Sequence, residues 1–278
     1  MEDGPTMDLD VAFVPAETKR WGASVCILID ELRASSTIVA LIDGGATAVL
    51  PAASLAAARR LSRLHGTMLA GERHVVRAPG FDLGNSPAEA AATPDLAGRS
   101  IALSTRNGTT VLHTLPPDAS VIVGCLLNAR ASARAALVMA REAGASIGIV
   151  CAGLRGAFSI DDAIAAGCIV ERILAEAGVD ERDLAVADGH GPSGRAGWAP
   201  SAPRRDGAIA LTDAARAALQ LWRSTPDIAT VFRSSWSGYL LARHGFGDDV
   251  DFCVRVDSTD TVPVVVRGDP LRIERLPG

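Results

Sequence analysis

Short apolar runs alternate along this chain with segments of helical period, and turns built from small or polar residues separate them. Residues 25–29 form a continuous apolar run rich in β-branched side chains, the pattern of a strand buried on both faces. The run stops at Asp30, and Ala34-Ser35-Ser36-Thr37 then opens an apolar helix that Gly44-Gly45 ends. Further strands are expected at 9–14, 46–50, 67–70, 101–103, 120–123 and 147–150. Helices are expected from Ser54 to His65 and from Ser86-Pro87 towards Ala92. Others should run from the Asn107-Gly108 turn to about Leu115, from Asn128 to Gly144 and from Ser159 to about Ala177. Ser159 with Asp162 resembles a capping box, with Asp in place of Glu.

The pattern breaks at 187–207, which is rich in Gly, Pro, Ser and Arg and is expected to be a flexible surface insertion. Helices resume at 208–222, near 226–233 and at 237–244. Residues 252–256 and 262–267 read as strands, antiparallel at the sheet edge. This order implies an α/β fold, layered α/β/α around a largely parallel sheet. The whole of 1–278 is read as a single unit, or as two tightly packed halves of about 1–145 and 146–278.

Composition narrows the partners. At 278 residues and 48% hydrophobic the chain can bury a large core, and a homodimer suits an enzyme of this size. A net charge of −5 argues against nucleic acid. No run of about 18 apolar residues predicts a membrane span, and the acidic, polar start carries no export signal, so a cytoplasmic location is expected. The five cysteines are scattered, without C-x-x-C spacing, and read as reduced core residues.

Ligands of an open parallel sheet bind beyond the carboxyl ends of its strands. The turns that begin at Asp30, Gly71, Ser104, Gly124 and Cys151 are therefore the expected walls of one site. Asp30, Glu72, Asp82, Asp161 and Asp162 are candidate ligands for Mg²⁺, which needs only one to three carboxylates beside water and substrate oxygens. Each has an ordinary alternative: Asp162 caps a helix, Asp82 braces its own turn, Glu72 pairs with Arg73. Arg33, Ser35, Ser36, Thr37, Arg73, Thr105, Asn107, Gly108 and Thr109 suit a phosphate, by guanidinium fork or at a helix start. Leu at position 32 is against the D-x-D phosphatases, and Ala157 denies Cys151 a C-x5-R loop. No Walker, G-x-G-x-x-G or G-x-S-x-G motif occurs in its expected context.

Taken in order, several motifs resemble the 2-phosphosulfolactate phosphatase (ComB-like) family. They are Ile29-Asp30 with Leu32-Arg33-Ala34-Ser35-Ser36-Thr37, Gly71-Glu72-Arg73, and Gly80-Phe81-Asp82-Leu83-Gly84-Asn85-Ser86-Pro87. Thr105 with Asn107-Gly108-Thr109, Gly124 and Asn128, Cys151-Ala152-Gly153, Phe158-Ser159 with Asp162 and Ala166-Gly167, and Asp251-Phe252-Cys253 complete the set. The resemblance implies a Mg²⁺-dependent enzyme that converts (R)-2-phospho-3-sulfolactate to (R)-3-sulfolactate and phosphate, in the route to coenzyme M. It implies catalytic roles for Asp30, Arg33, Glu72 and Asp162, with the metal on Asp30, Glu72, Asp161 or Asp162. Asn85, Asn128 and Cys151 join the substrate-binding set. Attack by metal-activated water is favoured, with a phospho-enzyme at Asp30 open; the alternative function is a non-catalytic binder of an anionic phosphorylated metabolite. The chain departs from the family at Glu31, Asp161, His74-Val75-Val76 and Trp236.

Overall fold

The computed structural model describes residues 7–21, 25–105, 111–112, 114–179, 185–186 and 209–277. Twelve strands among them form one sheet: β1 (Met7–Ala12), β2 (Val25–Ile29), β3 (Ala48–Pro51), β4 (Met68–Arg73), β5 (Val76–Arg77), β6 (Ser100–Ser104), β7 (Ser120–Val123), β8 (Ile147–Cys151), β9 (Ala185–Val186), β10 (Ile209–Leu211), β11 (Pro263–Val266) and β12 (Arg272–Arg275). The described helices are α1 (Ala34–Asp43), α2 (Leu55–His65), α3 (Pro87–Ala92), α4 (Ala129–Ala143), α5 (Ile160–Ala177), α6 (Asp213–Arg223), α7 (Ile228–Ser234), α8 (Trp236–Arg243) and α9 (Gly247–Cys253). None is long and apolar enough to cross a membrane.

β2 is apolar throughout because it has a core on each side. Val25, Ile27 and Ile29 pack under α4, α5 and α6, whereas Cys26 and Leu28 face α1 and α3. Local chemistry sets several boundaries as expected. Ser54 accepts the Ala57 amide at 3.1 Å and opens α2, which Gly66 ends at φ +67°. Ser86 accepts the Glu89 amide at 3.0 Å and, with Pro87 behind it, opens α3.

The strand order is β5-β4-β6-β3-β12-β11-β7-β2-β8-β1-β10-β9, largely parallel as expected. The C-terminal hairpin corrects the expectation of an edge position. β11 and β12 stand in the middle of the sheet, antiparallel to each other and to β7 and β3 on either side. Three successive antiparallel pairings mean that the block β4-β6-β3 runs opposite to the block from β7 to β9. The hairpin is held to each block through one paired position, Val264 with Ile122 and Ile273 with Val49. α1 lies against both blocks, since Ile38 and Leu41 share a core with Leu28 and Val123 on one side and Val49 and Leu103 on the other.

Three boundaries differ from expectation for identifiable reasons. Residues 252–256 are not a strand: α9 runs to Cys253 and buries Asp249, Val250 and Cys253, a helical spacing that a short apolar run does not distinguish from a strand. The helix expected from 208 begins only after Thr212, whose hydroxyl accepts the Ala215 amide at 3.2 Å, because Ile209–Leu211 is strand β10. β4 continues through Gly71 and Glu72 to Arg73, beyond the expected end at 70, because it turns back as β5. The 187–207 insertion and the Asn107 loop lie outside the described residues.

α5 and α6 approach closely at Gly167, where a Cβ would come within 2.0 Å of the Ala218 carbonyl oxygen. Gly167→Ala is therefore expected to force the two helices apart and cost about 1–3 kcal/mol. Denaturant titration checks this; a variant as stable as the parent would show that the helices shift without penalty.

Candidate active site

After β2 the chain turns sharply through residues 30–33, with a cis peptide between Leu32 and Arg33. The Ser35 hydroxyl accepts the Asp30 amide at 2.8 Å, the Ser35 amide donates to the Asp30 carbonyl at 2.8 Å, and the Ala34 amide reaches Asp30 Oδ1 at 3.4 Å. The first amides of α1 are thus spent on closing the turn. Ser36 donates to the Glu31 carbonyl at 3.1 Å, and Thr37 is buried with its hydroxyl lacking a hydrogen-bond partner among the described residues. Of the Ser/Thr group expected to cradle phosphate, Ser35 faces a small apolar cavity that also reaches Asp30 and Thr105.

Arg33 is only 3% exposed. Its Nη1 donates to Asp249 of α9 at 2.7 Å, and its Nη2 donates to Glu72 at 3.0 Å and to the Val75 carbonyl at 2.8 Å. The Phe246 ring lies 4.8 Å from the guanidinium carbon. Asp249 also accepts from Ser86 and from the Ala88 amide, so the Gly80-to-Pro87 motif is tied to the same network. Arg33, which also lines the cleft, thus clamps three distant segments together.

Glu72 and its neighbours sit on a hairpin. Gly71, at φ +149°, lies where β4 parts from β6, and a Cβ there would meet the Ser104 carbonyl at 2.5 Å. Arg73 pairs with Val76, which leaves His74 and Val75 as a two-residue loop with φ of +54° and +74°. That geometry costs a non-glycine residue about 1–2 kcal/mol, and a β-branched Val suits it least. Side chains alternate along a strand, so Glu72 faces Arg33 while Arg73 is exposed and takes no part in the cleft.

These elements enclose one cleft of about 240 Å³. Asp30, Leu32, Arg33, Glu72, His74, Val75, Asn85, Thr105, Leu154 and Arg155 line it, and Trp236, Ser237, Leu240, Leu241 and His244 form its α8 wall. α8 is set by Ser235, which accepts the Gly238 amide at 3.0 Å, and by Gly238, where a Cβ would meet the Phe232 carbonyl at 1.9 Å. Asn85 is 4% exposed, and its Oδ1 has no hydrogen-bond partner among the described residues. Trp236 stands half out of the cleft at 58% exposure.

The remaining expected site residues lie behind the cleft. Asp162 accepts the Glu31 amide on Oδ1 and the Gly153 amide on Oδ2, both at 2.8 Å, so it brackets two strand ends and forms no capping box with Ser159. The Ser159 hydroxyl donates to Asp161 at 2.7 Å. Burial raises the Asp161 carboxyl, and burial with the charges of Asp161 and Asp30 holds Asp162 well above the ordinary range. Glu31, wholly buried, accepts the Leu126 amide at 3.0 Å, and burial pushes its carboxyl well up too. Asn128 holds the Cys125 amide and the carbonyls of Val123 and Thr261 and does not line this cleft. Cys151 is a core residue whose thiol is pushed up by burial, and Asp82 ties its loop to β4 by accepting the Leu69 amide at 2.7 Å. Asn107, Gly108 and Thr109 lie outside the described residues.

The cleft therefore gathers Asp30, Arg33, Glu72, Asn85 and Thr105 from the expected set, without Arg73, Asn128, Asp161, Asp162 or Cys151. Among the described residues no three His, Cys, Asp or Glu side chains form a ready-made metal cage. Sequence reasoning noted His74 and Trp236 only as departures from the family, and missed Arg155, Asp249 and the rest of the α8 wall. Arg155, in the turn after β8, was within reach of the strand-end argument; the α8 residues carry no local signal.

The family model described as 2-phosphosulpholactate phosphatase matches residues 12–268. A probable 2-phosphosulfolactate phosphatase of Deinococcus radiodurans is 36% identical over 247 residues, covering 88% of this chain and 89% of the relative. A 2-phosphosulfolactate phosphatase of Methanothermobacter thermautotrophicus is 35% identical over 243 residues, covering 87% of each. A probable 2-phosphosulfolactate phosphatase of Carboxydothermus hydrogenoformans is 31% identical over 258 residues, covering 92% of each.

A carboxyl raised by burial contributes stability below its ordinary range and loses it as pH climbs through its folded value. Glu31→Gln keeps the acceptor for Leu126 and removes that loss. The melting temperature of the variant relative to the parent should rise between pH 5 and pH 8. A difference constant across that range would show that Glu31 does not titrate in the folded state as its burial demands.

Proposed function

The chain belongs to the 2-phosphosulpholactate phosphatase family of phosphoric monoester hydrolases, and we propose that it hydrolyses (R)-2-phospho-3-sulfolactate to (R)-3-sulfolactate and phosphate with Mg²⁺ bound in the cleft. The observation that carries this reading is the convergence of Asp30, Glu72, Asn85 and Thr105, from four separate segments, on one opening beside Arg33 and Arg155.

Charge supports a divalent cation there. Arg33 already faces Glu72 and Asp249, and Asp30 adds a third carboxylate. A substrate with phosphate, carboxylate and sulfonate groups would meet a surplus of like charge unless a cation intervened. Mg²⁺ is held by one or two carboxylates plus water and phosphate oxygens, so the lack of a three-ligand cage among the described residues does not disqualify the site. Asp30 and Glu72, whose carboxylates reach the cleft, are the residues that would hold it. When bound, the ion neutralises phosphoryl oxygens and acidifies the attacking water.

The protein's own groups supply the rest. Arg155, which makes no hydrogen bond or ion pair among the described residues, is placed to take an anionic oxygen by its fork. Asn85 offers a carboxamide whose oxygen is unspent, and Thr105 a hydroxyl at the end of β6. Asp161 and Asp162 act from behind: Asp162 fixes Glu31 against Gly153, and so sets Asp30 and Arg155 at either side of the opening. Fixed donors around a developing charge are worth more than mobile ones, because they need no reorganisation during transfer.

Phosphate release is the test, with phosphosulfolactate, phospholactate and phosphoglycolate offered in Mg²⁺ and in EDTA. Release from phosphosulfolactate should be strongest and should vanish in EDTA. Asp30→Asn should lower kcat/KM by roughly 10²–10³ without changing the circular dichroism spectrum. Saturable binding with no release would contradict hydrolysis, and undiminished release in EDTA would contradict the metal.

A further inference from the structure

Three of the five non-glycine residues with left-handed backbones among the described residues are His74, Val75 and Arg155, and all three line the cleft. Such strain persists only where the surroundings over-determine it, and it collects at ligand sites. The hairpin tip is the sharper case. A two-residue loop with both φ angles positive is ordinarily filled by Asn-Gly or Asp-Gly, and a loop needed only to reverse the chain would keep that pair. Here it carries an imidazole and a β-branched side chain instead. One nitrogen of Arg33 holds both the Val75 carbonyl and Glu72, so the tip and its flank are fixed together. The Val75 side chain packs against the main core and anchors the tip, whereas His74 is exposed and makes no hydrogen bond or ion pair among the described residues.

We infer that the His74–Val75 loop is a specificity element of this cleft, in which His74 donates a hydrogen bond to an acid group of the bound phosphomonoester and Val75 aims it. The inference rests on the anionic-ester reading given above. It assigns His74 to direct substrate contact and Val75 to positioning.

The test uses two single variants of the full chain. His74→Asn suits the left-handed backbone and so keeps the loop while removing the imidazole. Its KM for phosphosulfolactate should rise about tenfold, the loss expected for one hydrogen bond to a charged group, with kcat little changed and the melting temperature no lower. Val75→Gly relieves the strain but also removes the packing that anchors the tip, so its melting temperature should stay within a few degrees of the parent while KM rises. A His74→Asn protein with the parental KM overturns the contact, and a folded Val75→Gly protein with the parental KM overturns the aiming. Should the parent release no phosphate from phosphosulfolactate, the functional reading fails. Calorimetric titration with inorganic phosphate then decides His74: markedly weaker binding in His74→Asn supports the contact, and equal binding removes it.

Discussion

A single guanidinium holds the cleft together. Arg33 leaves the turn after β2, reaches the hairpin of β4 and β5 through Glu72 and the Val75 carbonyl, and reaches α9 through Asp249. These three segments are far apart in sequence and come from the two oppositely running blocks of the sheet and the C-terminal helices. A buried ion pair of this kind adds little net stability, because removing both charges from water is costly. Its value is geometric: with one partner gone, the other is left buried and uncompensated, so the alternatives to this arrangement are expensive. The planar fork also fixes direction, which an ammonium would not. The position of Glu72 and the strained hairpin tip above the opening both follow from that constraint.

A second layer acts from behind. Asp162 accepts one amide from each of the turns after β2 and β8, and those turns carry the cleft residues Asp30, Leu32 and Arg33 on one side and Leu154 and Arg155 on the other. Glu31 and Asp161 stand beside it, buried and with carboxyls raised by desolvation. This cluster of acids faces backbone donors rather than open space. The polar groups of this region are thus divided between those that line the cleft and those that brace its turns from behind.

Much of the fold could be read from the chain, because the relevant signals are local. The apolar run of β2, the Ser54 and Ser86 caps and the Gly66 and Gly144 terminators each act within a few residues. Placement of the C-terminal hairpin was not legible, since alternation shows that a segment is a strand but not which strands flank it. Residues 252–256 misled for a related reason: five positions of mixed polarity fit a helix and a strand equally. In the site, Asp30, Glu72, Asn85 and Thr105 were visible as polar groups at turns, but their distinction from Arg73, Asn128 and Cys151 was not. For Glu72 and Arg73 the difference is one residue of register along β4. For Asn128 and Cys151 it is the identity of partners distant in sequence. The clamping contacts of Arg33 were not legible for the same cause, because nothing near residue 33 announces Asp249.

Amide hydrogen exchange in an Arg33→Met variant tests this account most directly, with β2 as the internal gauge of overall stability. If the guanidinium holds the hairpin over the opening, protection at residues 72–77 should fall about tenfold or more relative to β2, as expected for a local opening released from its clamp. Equal changes in the hairpin and in β2, or none in either, would contradict it.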